Sequence, residues 1–213
     1  MPKNTPLSLE KDSPRAYHHG DLRQALLDVA LDMLEKSDSE QLSLRAIARQ
    51  AGVSRAAPYH HFTDREALLS AVAAEGFKKL RSEMTAPGDS TDSTPLQYMQ
   101  DMGVAYVRFA VAHPRLYMLM FSTQLRDRDT HPELKTEADA ALATLASAMS
   151  ESMQREGKKD GDGESLVLGA WALVHGLAML IIDGRAGGKN PSDEQVESLV
   201  RNTTRIIGRG VAG

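Results

Sequence analysis

Between Gln41 and Arg65 the chain collects four arginines, a tyrosine and two adjacent histidines: Arg45, Arg49, Arg55, Arg65, Tyr59, His60 and His61. Guanidinium groups neutralise phosphates, and at a base edge they grip guanine through two hydrogen bonds. Tyrosine and histidine side chains can reach phosphate oxygens. Ala56 and Ala57, next to Arg55, are small enough for close approach to thymine methyls. Over this stretch four positive charges stand against Asp64 alone, a net +3, while the whole chain carries −4. Positive charge is thus concentrated where the groups that read DNA are found.

Catalytic chemistry finds no comparable grouping. No Ser-His-Asp set, paired carboxylates or phosphate-binding glycine motif stands out, although a site assembled in space from distant residues leaves no such pattern. The chain has no cysteine, which excludes disulfides, a thiolate nucleophile and cysteine-ligated metal. His18 and His19 are neighbours in sequence and do not face one another. Lys158–Glu164, KKDGDGE, alternates aspartates but lacks the later carboxylates of a calcium loop. No catalytic residue, metal or cofactor is expected.

A second set of residues suits a different chemistry. Tyr98, Met102, Tyr106, Met118, Phe121, Met149, Trp171, His175 and Met179 bring apolar bulk and a few polar tips to predicted helices in the second half of the chain. A ligand pocket between helices has that composition, and methionine adapts to varied ligand shapes. Plain core packing is the competing reading for any one of them. Trp171 and His175 are four apart, share a helix face, and each carries a polar group into an apolar segment.

The elements that must position these groups are helical. Ser43 is a candidate N-cap, and Leu44, Ile47, Ala48 and Ala51 recur at helical spacing. Gly52 falls where a residue with positive φ would end that helix, Val53 can plug the small core, and Ser54 caps a second helix running to about Phe62. Two helices joined by a tight glycine turn form a helix-turn-helix, whose second helix enters the DNA major groove. Pro58 sits in its first turn and lacks an amide donor, so a short, slightly distorted recognition helix is expected. Two ordinary bundle helices are the alternative reading of the stretch. Before it, Leu22, Ala25, Leu26, Val29, Ala30, Met33 and Leu34 mark an amphipathic helix over Asp21–Lys36. After it, Thr63 to Glu66 reads as a capping box for a helix reaching about Met84, the connecting rod from head to body.

Residues 1–19 read as a mobile tail whose Lys3, Lys11 and Arg15 could reach a minor groove. Further helices are expected over Pro95–Ala112, Arg115–Phe121, Pro132 to near Gly157, Glu164–Asp183, and from Ser192, which caps the last one with Gln195. The charged run Arg126–Asp129 is expected to be solvated. The longest apolar run, Ser165–Ile182, is slightly short of the roughly 20 residues of a membrane span and is interrupted by Gly169, Trp171, His175 and Gly176. It is read as a bundle helix buried on several sides. No apolar leader precedes the first helix, and a cytoplasmic protein without membrane contact is expected.

The run LSLRAIARQAGVSRAAPYHHFTDREALLSAV closely resembles the N-terminal domain of TetR-family transcriptional regulators. WALVHG and YHHGDLR resemble a subgroup of that family with a WHG-type C-terminal domain. The resemblance implies an all-α fold, with a three-helix helix-turn-helix domain over 20–64 and a helical ligand-binding and dimerisation domain over 65–213. It places DNA contacts at Ser43, Arg45, Arg55, Ala57, Tyr59, His60, His61 and Arg65. Pro58 stands where the family usually has an aliphatic residue and Ala57 where a hydroxyl or glycine is commoner. The partners implied are a double-stranded DNA operator, a second copy of the chain paired through the last two long helices, and a small, largely apolar ligand. Recognition helices roughly 34–36 Å apart would then read a near-palindromic operator. A ligand-released repressor is the leading expectation. An activator or ligand-independent regulator is the alternative, and a helical enzyme a remote third.

Overall fold

The structure, a computed structural model, describes residues 22–86, 94–125, 127–155, 163–188 and 190–210, with backbone only for 206–210. The N-terminal tail, with Lys3, Lys11, Arg15, His18 and His19, lies outside the described residues, as does most of the Lys158–Glu164 loop. Eight α-helices follow in order: α1 Leu22–Lys36, α2 Leu44–Gln50, α3 Arg65–Thr85, α4 Pro95–Ala112, α5 Pro114–Met120, α6 Pro132–Arg155, α7 Gly163–Ile182 and α8 Asp193–Gly210. Short 3₁₀ turns occupy Ser39–Gln41, Ala57–His60, Thr123–Leu125 and Arg128–Thr130. No strand occurs among the described residues, in keeping with an all-α fold.

Local chemistry sets most helix ends. The Ser43 hydroxyl accepts from Ala46 N at 3.2 Å and starts α2. Gly52 adopts φ +69°, and the two bonds of a Schellman motif close behind it: Gly52 N to Arg49 O at 3.3 Å and Val53 N to Ala48 O at 3.0 Å. Thr94 with Gln97 and Ser192 with Gln195 form reciprocal capping boxes for α4 and α8. The expected box at Thr63–Glu66 does not form. Asp64 is the cap, accepting from Ala67 N at 2.8 Å, and the Thr63 hydroxyl donates to the Asp64 carboxylate instead. A carboxylate one residue further along is the better acceptor for first-turn amides.

Packing is organised around α3. Residues 68–74 of this helix are all buried, as are Gly76, Phe77, Leu80 and Met84. The rod is therefore enclosed by α1, α4, α5 and α6. Gly76 permits the closest of these approaches, since a Cβ there would meet Met120 Sδ at 2.7 Å and Leu116 Cδ1 at 3.0 Å. α1 buries a wider face than its periodicity marks: Leu27 and Leu31 are covered as well as Leu26, Ala30 and Leu34. It is wedged between α2 and the α3–α5 pair, so two faces meet protein.

α7 departs from expectation. It is long and apolar enough to cross a membrane by length and composition, and the sequence places it inside the bundle. Within one chain only Val174, Leu177, Ala178 and Ile181 are buried. Leu168, Ala172 and Leu180 are exposed and Gly176 half-exposed on one stripe at four-residue spacing. α8 is different: Val196 and Val200 turn inward against α4, and Arg201 pairs with Asp101 of α4 at 2.5 Å.

Candidate nucleic-acid interface and ligand cavity

Leu44, Ile47 and Ala48 of α2 face the core, which turns Arg45 and Arg49 to solvent. Beyond the Gly52 turn, Arg55, Tyr59, His60 and His61 are all exposed, Tyr59 by 50%. None of these side chains has an acid partner among the described residues. Ala57 is half-buried and Ser43 has its hydroxyl engaged as the α2 cap.

The recognition element is tighter than the α-helix expected over Arg55–Phe62. Ser54 does cap it, accepting from Ala57 N at 3.2 Å, but Ala57–His60 forms a 3₁₀ turn. Tyr59 N bonds to Ala56 O at 3.1 Å, and Pro58 O accepts from both His61 N and Phe62 N. Pro58 has no N–H to return to Ser54 O, so the first α-type bond is missing and the segment closes with three-residue spacing. The Pro58 ring is buried against the head core.

Arg65 is turned partly inward. Its Nε donates to Leu42 O at 2.9 Å and its Nη2 to Ser39 O at 2.7 Å. Two of its donors thus pin the entry to α2, leaving the other guanidinium nitrogen for any phosphate.

In the body, α3, α4, α6, α7 and α8 enclose a cavity of about 860 Å³, within the range of small-molecule sites. Met102, Tyr106, Phe121, Met149 and Trp171 line it as the sequence suggests. Tyr98, Met118, His175 and Met179 do not. Met118 is 46% exposed on the outer face of α5, because Leu116, Tyr117, Leu119 and Met120 take the inward positions. Tyr98 and Met179 pack on the core from the flank. His175 sits behind the lining: its Nδ1 is 2.7 Å from Tyr117 Oη and 3.2 Å from Tyr106 Oη.

These groups form one polar wall. Trp171 Nε1 donates to Tyr106 Oη at 3.3 Å, and the two tyrosine hydroxyls are 2.9 Å apart. Burial raises both tyrosines, Tyr117 strongly, and lowers His175. With all three neutral and Nδ1 as the unprotonated nitrogen of His175, donation would run from Trp171 through Tyr106 and Tyr117 to that nitrogen. The arrangement is a hydrogen-bonded partition and contains no activated nucleophile.

Several lining residues escaped sequence reading. Phe77, Leu80 and Met84 come from the rod itself, and Leu96, Met99 and Gln100 from the first turns of α4. Leu142 is 43% exposed, but it faces the cavity. An apolar stripe on α6 that no neighbour covers is the one sequence signal that could have marked it. Arg128, expected in a solvated loop, lines the cavity and lies over the Phe77 ring at 5.3 Å.

α5 and α6 bind the body to the head. Arg115 Nη1 donates to Glu35 O at 2.7 Å, at the C-terminal end of α1, and its Nε lies 3.2 Å from Asp38. His113 is 3.3 Å from Glu35 and Arg23 of α1 meets Glu133 of α6, while His131 lies 3.0 Å from Glu66 at the start of the rod.

The geometry defines a helix-turn-helix head docked on a helical body with a cavity between its helices, open on one side. Residues 26–72 match the family described as bacterial regulatory proteins of the tetR family, and residues 99–203 match the tetracyclin repressor-like C-terminal domain. The chain belongs to the TetR family, a family of transcriptional regulators and not of enzymes. It is 32% identical over 103 residues to the HTH-type transcriptional regulator AcrR of Shigella flexneri, covering 46% of each chain. It is 40% identical over 60 residues to the HTH-type nicotine-responsive transcriptional repressor HdnoR of Paenarthrobacter nicotinovorans, covering 28% of this chain and 31% of that one. The chain therefore spans less than half the length of these curated relatives. A solved structure of a protein of unknown function from Rhodococcus sp. RHA1 is 34% identical, with a TM-score of 0.73 over 90% of this chain and 98% of that one.

Proposed function

We propose that this chain is a cytoplasmic transcriptional repressor that binds a near-palindromic DNA operator as a homodimer and releases it when a small, largely apolar ligand fills the body cavity. The exposed group Arg45, Arg49, Arg55, Tyr59, His60 and His61 on the outer side of the helix-turn-helix carries this reading. It supplies cations for phosphates and an arginine at the start of the recognition turn for a base edge. Ser43 and Arg65 support the head by capping α2 and holding its entry, and Ala57 leaves room for close approach.

The uncovered α7 stripe supports dimerisation, because apolar area of that kind on a helix this long is normally covered. Ligand control is supported by the connection between cavity and head. Tyr117 belongs to the polar wall, and Arg115, two residues earlier, holds the end of α1. A ligand that favours one position of α5 and α3 shifts the spacing of the two heads, and so the population able to bind DNA.

The test begins with selection of preferred duplexes from a randomised double-stranded library by the full chain. Arg55→Ala is then measured on the winning sequence and on its half-site variants. A loss of about 1–3 kcal/mol and relaxed preference at one symmetric base position are expected, with the dimer intact. Unchanged binding would remove Arg55 from the interface, and a pool showing no enriched sequence would remove the regulator reading.

A further inference from the structure

The charges on the cavity wall do not balance. Most of the lining is aliphatic, methionine or aromatic, and three charged residues interrupt it: Arg128, Arg205 and Asp139. Asp139 is already answered by Lys135 at 3.1 Å, one turn away on α6. Arg205 lies on the exposed side of α8 and donates to the neutral Asn202 side chain, so its charge is hydrated rather than paired. Arg128 is the more sheltered of the two cations. It is half-buried, and no carboxylate lies within ion-pair distance of it among the described residues, its chain neighbours Asp127 and Asp129 included. Its guanidinium rests on Phe77, whose ring centroid is 5.4 Å from that of Phe121 in a T-shaped pair.

A cation held on an aromatic wall is partly desolvated and partly compensated by the ring. No described residue uses the hydrogen-bonding capacity of its planar fork, which suits a carboxylate or phosphate. Alongside it, Phe121, Trp171 and Met102 open into the apolar volume. We propose that the cavity takes an amphipathic anion, a single carboxylate or phosphate head on an apolar chain, with the head at Arg128 and the chain among the methionines and leucines of α4 and α6. This rests on the cavity being the regulatory ligand site. The tyrosine–histidine wall stays neutral and polar behind the chain and Arg205 is open to water, so Arg128 is the sheltered cation that distinguishes an anion from a neutral ligand of equal size.

Trp171 is the sole tryptophan of the chain and lines the cavity, so its fluorescence reports occupancy directly. The full-length dimer is titrated with dodecanoate, monododecyl phosphate, 1-dodecanol and dodecyltrimethylammonium, each below its micelle threshold. The same titrations are run on Arg128→Gln and Arg128→Lys, after their melting curves have been matched to the wild type. At least one anion should bind tenfold or more tightly than dodecanol. That advantage should vanish in Arg128→Gln, persist in part in Arg128→Lys, and leave dodecanol affinity unchanged in both. The anion with the larger Arg128-dependent advantage identifies the head. If dodecanol or the ammonium probe binds the wild type as tightly as the anions, or the anion preference survives in Arg128→Gln, the anion assignment falls while the cavity remains an apolar ligand site. If no probe perturbs Trp171, both the anion assignment and the ligand-site reading fall.

Discussion

His175 is the residue where burial, hydrogen bonding and titration meet. Burial lowers its pKa below the usual 6.5, so between the folded value and 6.5 the unfolded chain binds more protons than the native one. Stability therefore rises with pH across that window and is complete above it. His175→Gln, which keeps a polar side chain near Tyr117, should flatten the slope of urea-unfolding free energy between pH 5 and 7 relative to wild type; an unchanged slope would assign the effect to other histidines. Arg65 shows a second lesson at this scale. A side chain matched to a phosphate contact also donates to Leu42 O and Ser39 O, which orders the entry to α2 before DNA arrives. Neither role was legible in the chain. The partners of His175 are 58 and 69 residues away and those of Arg65 are 23 and 26.

Single elements were read well wherever their ends are set by nearby residues. Ser43, Gly52, Thr94 with Gln97, and Ser192 with Gln195 act within a turn of their own position, and the helices they bound were expected to within a residue or two. The 57–60 turn is the informative exception. Pro58 was expected to distort an α-helix, and the structure replaces it with 3₁₀ spacing. Pro58→Ala restores a donor opposite Ser54 O. The new residue-58 amide should then appear in the NMR spectrum with exchange slowed about fivefold or more, the value of one modest hydrogen bond. A rapidly exchanging amide would mean that head packing around residue 58, and not the missing donor, dictates the tight turn. Because Tyr59 and His60 lie on this element and His61 caps it, a change from three to nearly four residues per turn would rotate them, and the preferred operator should change with it.

For the molecule as a whole, the unanswered surface is the α7 stripe. Leu168 is 59% exposed on a helix whose mean hydropathy reaches 2.1. Pairing it with its own copy by two-fold symmetry repeats every contact twice. Leu168→Glu introduces two buried charges into such an interface and should weaken dimerisation by about 100-fold or more, at roughly tenfold per 1.4 kcal/mol. Sedimentation equilibrium measures this, and a variant that stays dimeric at the same concentration would place the interface elsewhere. A monomeric variant should also lose most operator affinity, since one head spans one half-site. The sequence assigned this interface to both α7 and α8. In the structure Val196 and Val200 of α8 turn inward against α4, the side chains of Ile206 and Ile207 lie outside the described residues, and α7 carries the open face among those described.

Most of the helices, the caps at Ser43, Ser54 and Ser192, the glycine turn and the cationic outer side of the head were legible in the chain. Each depends on periodicity, a capping group or a charge within a few residues, and such information is local. Tertiary structure alone decided which apolar residues surround empty volume and which surround one another. Met102 and Met118 look equivalent in a list of residues, yet one lines the cavity and the other faces solvent. It also brought Arg128 from a loop onto the Phe77 ring and closed the Trp171–Tyr106–Tyr117–His175 wall. A cavity is the space that several helices fail to fill together, so no single helix encodes it.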